Sequence, residues 1–129
     1  MGKITGLGGI FIKANDPKTL AKWYDEYLGI NFNGNSYIDM PFIDAEGKPS
    51  AGYNVLSFFP QHTTYFAPSE KQVMINLRVE DFDGLIEDLK KKGVELTGEP
   101  VKEEYGKFAW IMDPEGNKIE LWEPPASQK

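Results

Sequence analysis

The chain has 129 residues, 40% hydrophobic and 26% charged, which is ordinary soluble composition and enough for one domain with a sizeable core. A net charge of −6 argues against nucleic acid as a partner, because that binding rests on Lys and Arg neutralising phosphates. The chain has no cysteine, so disulfides, thiolate nucleophiles and cysteine metal sites are excluded.

No apolar stretch is long enough to span a bilayer. The opening MGKITGLGG lacks the apolar core of a signal peptide, and Gly6 stands where a myristoylation signal at Gly2 wants Ser or Thr. The expected location is cytoplasmic, with no membrane partner.

The first element is a strand, IFIKAND, from Ile10 to Asp16. Asp16 is placed to cap a helix that Pro17 begins. Leu20, Trp23, Tyr24, Tyr27 and Leu28 then recur at helical spacing as a broad apolar stripe, and Gly29 ends the helix. Room for three strands follows, roughly Ile30 to Met40, Phe42 to Ala45 and Tyr53 to Phe59. A linker, PQHTTYFAPSEK from Pro60 to Lys71, carries the sole histidine, His62, and an aromatic pair, Tyr65 and Phe66.

The second half repeats the plan. INLRVED, from Ile75 to Asp81, is a strand ending in a cap, and the two Asp residues lie 65 positions apart. Phe82, Leu85, Ile86 and Leu89 form the next apolar stripe, and Gly93 stops the helix. The triplet Lys90-Lys91-Lys92 falls in its last turn, where the helix dipole favours cations. Strands are expected at Val94 to Thr97, Lys107 to Met112 and Lys118 to Glu123. The last two are joined by Asp113-Pro114-Glu115-Gly116-Asn117, which is turn chemistry throughout. Lys118 to Glu123 largely alternates polar and apolar, and Pro124-Pro125 ends it.

The order is therefore βαβββ twice in an α+β domain spanning residues 1–129, with module one at about 4–66 and module two at about 70–125. DPEGNKIELWEP in the closing hairpin and WYxxxLGI in the first helix, together with this half-length repeat, resemble the vicinal-oxygen-chelate superfamily. That superfamily includes glyoxalase I, bleomycin-resistance proteins and extradiol dioxygenases. The resemblance runs from about Ile4 to Pro125 and implies two curved mixed sheets walling a cup, with the helices outside.

Strand periodicity assigns faces within that frame. Ile10, Ile12 and Ala14, with Ile75, Leu77, Val79, Ile119 and Leu121, face the helices. Gly9, Phe11 and Lys13, with Met74, Asn76, Arg78, Lys118, Glu120 and Trp122, face the cup. Phe108, Trp110 and Met112 share one strand face and Ala109 and Ile111 the other; the large face can fill the cup, and register decides whether it does.

The resemblance implies metal ligands on the first and last strands of each module, usually His, Gln or Glu. The corresponding positions here are Gly9, Ser57, Met74 and Glu120, and only Glu120 matches. One carboxylate with a glycine, a thioether and a hydroxyl does not make a transition-metal site. No metal and no cofactor is expected.

What remains is an apolar cup with a few polar groups, the usual composition of a small-molecule site. The expected function is a glyoxalase/bleomycin-resistance-like protein that binds a small organic molecule without metal. Phe11, Lys13, His62, Asn76, Arg78, Trp110 and Trp122 are its candidate ligand-binding residues. Glu120 is the candidate catalytic group, and two alternatives follow from it. The first is an enzyme, isomerase, lyase or dioxygenase-like, that uses Glu120 as base or ligand. The second is a partner-binding module with a filled cup, in which Lys13 or Arg78 pairs with Glu120. A homodimer is expected from the protection it gives to strand edges.

Overall fold

Helix α1, Pro17–Leu28, starts where the Asp16 carboxylate accepts the Thr19 N–H at 3.1 Å. It stops where Gly29 turns left-handed at φ 69°. In the computed structural model, which describes residues 2–126, it follows β1, Lys3–Ala14. Then come β2, Tyr37–Ile43, β3, Pro49–Pro60, and β4, Val73–Glu80. Module two continues with α2, Phe82–Lys91, β5, Val101–Glu103, β6, Gly106–Met112, and β7, Lys118–Glu123. Asp81 caps α2 by accepting the Gly84 N–H at 3.3 Å.

The strands form one curved, unclosed mixed sheet in the order β2-β3-β1-β4-β7-β6-β5. β1 runs parallel to β3, and β4 runs parallel to β7. β1 and β4 meet antiparallel at the centre, with Ile10 opposite Ile75. Those two residues are repeat equivalents, so the modules are related by a pseudo-twofold axis between them. The register also matches Phe11↔Ser57 in module one with Asn76↔Glu120 in module two. Ser57 is thus the counterpart of Glu120.

Both helices cover one face. Under α1, Ala14, Ala21, Phe32 and Phe58 are buried, with Ile12, Leu20, Tyr24 and Leu56 packed around them. Under α2, Val79, Phe82, Ile86, Ala109 and Leu121 do the same, with Leu77, Ile111 and Ile119. Burying each large apolar side chain contributes about 1.5–3 kcal/mol, and this holds the helices to the sheet. Trp23, Tyr27 and Leu28, three of the five stripe residues, stay outside: Tyr27 is 65% exposed and packs on Trp23 at 5.3 Å.

Three expected strands depart from the sequence reading: Ile30 to Met40 and Phe42 to Ala45 merge into the single β2, so the first module has one strand fewer than expected, and Val94 to Thr97 is not a strand. The stretch after α1 becomes strand only at Tyr37, because Asp25 Oδ1 accepts the Phe32 N–H at 2.7 Å and Asn33 and Gly34 both take positive φ. Phe32 is thereby fixed in the helix-side core instead of in a ladder. Val94 to Thr97 contributes a single bridge, Leu96 to Ile111, and the edge strand is Val101–Glu103. The closing turn is as expected: Asp113 Oδ1 accepts the N–H groups of Glu115 and Asn117, both at 2.9 Å, and Gly116 takes φ 87°.

Candidate functional site

The face of the sheet away from the helices carries Phe11 on β1, Met74 and Asn76 on β4, Trp110 on β6 and Glu120 on β7. Phe11 and Met74 are buried together with Phe66, against Val55, Phe59 and Trp110. Phe11, Met74, Asn76 and Glu120 lie where strand periodicity puts them, and the side on which Trp110 lies is fixed by its pairing with Glu120.

Glu120 lies at the centre of this face and is 2% exposed. Its Oε1 accepts from Asn76 Nδ2 at 2.6 Å. Its Oε2 accepts from Trp110 Nε1 at 2.8 Å and from the Tyr65 hydroxyl. Both strand donors follow from register, since Asn76 and Trp110 are the residues paired with Glu120 on its two sides. Burial raises the Glu120 pKa; the donors from Tyr65, Trp110 and Asn76, and then the Lys118 charge, work against it. The same burial, reinforced by the carboxylate, pushes the Tyr65 hydroxyl far up, so it remains a neutral donor.

Tyr65 comes from the segment between the modules, residues 61–72. The segment closes on itself through the Gln61 and Gln72 side-chain amides, at 2.7 and 3.2 Å. Ser69 Oγ pins it to the Gly116 carbonyl at 2.7 Å, and Lys118 Nζ pins it to the Tyr65 carbonyl at 2.8 Å. Phe66 follows Tyr65 into the cup and is 0% exposed. The Tyr65 ring stacks on Phe59 at 5.4 Å and 7° and stands edge-on to Trp110 at 6.1 Å and 85°. Lys118 lies 5.6 and 5.7 Å from the Tyr65 and Trp110 rings, and burial lowers its pKa while Glu120 opposes the shift.

A second cluster occupies the other end of the face. The Arg78 guanidinium sits 5.2 Å from both the Phe42 and Trp122 rings, and Nη1 donates to the Tyr53 carbonyl at 2.8 Å. Trp122 stacks on Phe108 at 6.3 Å and 9°. The approach requires Gly52, at φ 92°, where a Cβ would lie 2.9 Å from the Phe42 ring and 3.3 Å from Arg78 Nη2. The Tyr53 hydroxyl is raised by burial and by Asp39, itself raised by burial.

The sequence candidates therefore divide. Asn76 and Trp110 bond to Glu120 and Phe11 packs beside Tyr65, whereas Arg78 and Trp122 form the second cluster. Lys13 lies over the Phe66 ring at 5.4 Å. His62 is exposed. The expected pairing of Glu120 with Lys13 or Arg78 is replaced by three neutral donors, because the register sets Asn76 beside Glu120 and Arg78 beside Trp122. Tyr65 is the partner that sequence reasoning did not assign to Glu120. Its only signal was an aromatic pair in a linker flanking the cup.

The four positions that would carry metal ligands hold Gly9, Ser57, Met74 and Glu120. Among the described residues there is no group of three or more His, Cys, Asp or Glu able to hold an ion. Both Glu120 oxygens are turned toward N–H and O–H donors. This donor set does not fit the metal that the fold family implies.

The comparisons with known proteins agree with the architecture. An uncharacterized protein of Bacillus subtilis (strain 168), YetH, is 24% identical over 120 residues, covering 93% of this chain and 99% of its own. Methylmalonyl-CoA epimerase from Mycobacterium tuberculosis superposes with a TM-score of 0.61 at 22% identity, over 94% of this chain and 89% of that one. A Streptomyces coelicolor methylmalonyl-CoA epimerase in complex with 2-nitronate-propionyl-CoA superposes with a TM-score of 0.68 at 18% identity, over 98% and 99% of the two chains. At these identities the structural likeness establishes the fold. The sequence pattern of the Glyoxalase/Bleomycin resistance protein/Dioxygenase superfamily matches residues 6–121, and the chain belongs to that superfamily.

Proposed function

We propose that this protein binds a small organic molecule in its cup, without a metal, with Glu120 as the polar anchor. The observation that carries the reading is the Glu120 carboxylate itself. It is buried in an aromatic wall, and one of its three donors comes from a surface segment rather than from the sheet. A buried carboxylate is costly unless its oxygens are satisfied. A ligand donor can take over the part that Tyr65 plays. The test is a thermal-stability screen of small organic compounds on the wild type and on Glu120→Gln. A ligand at about a hundred times its dissociation constant adds about 2.7 kcal/mol. Hits that disappear in Glu120→Gln support the reading, and an unresponsive wild type overturns it.

A second reading makes the protein an enzyme of the superfamily, in line with fold neighbours named as epimerases. Burial raises the Glu120 pKa above that of an ordinary carboxylate, the direction that a general base requires. Turnover lost in Glu120→Gln with binding retained would select it. A third reading, a partner-binding module with a filled cup, draws on the complete burial of Phe66.

The proposal places the protein in the cytoplasm, and no helix among the described residues is long and apolar enough to cross a membrane. It also makes the protein a homodimer. β2 is an edge strand carrying exposed Tyr37, Met40 and Ile43, a surface that a second copy would cover. Sedimentation of the purified chain tests this, and a monomer at micromolar concentration would refute it.

A further inference from the structure

The groups that hold the Tyr65 ring all belong to the sheet. Phe11 is on β1, Phe59 on β3, Trp110 on β6 and Glu120 on β7. Phe59 supplies a parallel stacking surface, Trp110 an edge-on wall, and Phe11 a tilted contact at 6.5 Å. Glu120 accepts the hydroxyl. Tyr65 itself lies in a turn and is 36% exposed, the most exposed of these side chains. The sheet therefore forms a receptor for a phenol, and a side chain of the intervening segment fills it.

We propose that the natural ligand of the cup is a planar neutral phenol that replaces the Tyr65 side chain on Phe59, Trp110 and Glu120. This rests on the small-molecule reading above and names its chemical class. Electrostatics narrows the class from both sides. An aryl carboxylate would bring a second anion to the buried Glu120, at a like-charge cost. An aryl ammonium would be attracted by Glu120, but it would have to be desolvated beside a cation already there, Lys118, whose Nζ lies 5.6 and 5.7 Å from the Tyr65 and Trp110 rings. A neutral ring with one donor bonds to Glu120 without burying a second charge. Because Tyr65 is carried by a turn and not by a strand, its side chain can leave the place without breaking the sheet, while Phe66 keeps its buried position. The wild type then binds with an affinity reduced by the fraction of molecules in which Tyr65 is already out.

The experiment titrates p-cresol, toluene, p-toluate and 4-methylbenzylamine into the full chain, read by calorimetry and by tryptophan fluorescence. Wild type, Tyr65→Phe and Glu120→Gln are compared. p-Cresol is expected to bind the wild type about tenfold or more tightly than toluene, since a hydrogen bond to a charged group has that worth. The two charged probes are expected to bind more weakly than p-cresol. Tyr65→Phe keeps the ring but frees the carboxylate, and should bind p-cresol several-fold tighter. Glu120→Gln should lose most of the preference for p-cresol over toluene. Equal binding of p-cresol and toluene, or p-cresol binding indifferent to both substitutions, would overturn the phenol assignment. If a broad screen then finds non-phenolic ligands that depend on Glu120, the small-molecule reading stands and only the class is wrong. If neither wild type nor Tyr65→Phe binds any compound, both fail.

Discussion

The Tyr65 hydroxyl donates to the carboxylate of Glu120, 55 positions later in the chain, and ties the segment between the modules to the closing hairpin. Tyr65→Phe removes this one donor and little else. A hydrogen bond to a charged group is worth about 1.5–3 kcal/mol. The partial exposure of the ring lets water reach the site and sets the loss near the lower end. Urea unfolding of the variant should show a loss of about 1.5 kcal/mol with an unchanged slope. An unaltered midpoint would mean that the contact contributes nothing net.

Glu120 also gives the protein a specific pH response. Burial raises its folded pKa above the ordinary 4.5, so the folded state holds this proton more tightly than the unfolded one. Its contribution to stability is fully present below the unfolded pKa and is lost as pH rises through the folded pKa. Other groups titrate in the same region, so the informative quantity is the difference from Glu120→Gln. That difference should shift in favour of the Gln variant as pH goes from about 4.5 toward 8. Parallel stability–pH curves for the two proteins would remove the raised pKa from the account.

Much of this site was legible because strands obey a period of two. Once the hairpin Lys118 to Glu123 is read as alternating, Glu120 and Trp122 must share a face, and the repeat transfers the same logic to Asn76 and Arg78. The partners of Glu120 were less legible, because they depend on register between strands. Asn76 stands beside Glu120 and Arg78 beside Trp122, which hands the carboxylate an amide in place of a guanidinium. Tyr65 was the least legible, since its segment has no periodicity and its place is fixed by single contacts from Ser69 and Lys118. For a similar reason the strand expected from Ile30 appears only at Tyr37: one side-chain bond from Asp25 diverts the backbone locally.

Gly8 has a steric role that its neighbours do not suggest. A Cβ there would collide with Asn76 Oδ1, a buried oxygen with no hydrogen-bond partner among the described residues. Gly8→Ala must therefore displace the amide that donates to Glu120. Overpacking of this kind costs about 1–3 kcal/mol. Gly98→Ala is the control, since a Cβ there meets nothing within 4 Å. Thermal or urea unfolding should separate the two variants, and equal stability would show that Asn76 can move without consequence.

The last prediction concerns Arg78 and tests whether its cluster works by shape or by charge. Its guanidinium lies 5.2 Å from both Phe42 and Trp122 while donating to the Tyr53 carbonyl. Arg78→Lys keeps the charge but replaces a planar, weakly hydrated fork with a compact, strongly hydrated ammonium. A buried ammonium loses more on desolvation and cannot lie flat between two rings. The variant should lose about 2 kcal/mol, the scale of a desolvated cation–π contact. Trp122 fluorescence should change as the ring loses its neighbour. Arg78→Met tests the other side, because it keeps the length and apolar surface of the side chain but no charge. If Lys is tolerated as well as Arg, charge alone holds the cluster. If Met outperforms Lys, the guanidinium acts chiefly as a flat packing surface across which β3 reaches β7.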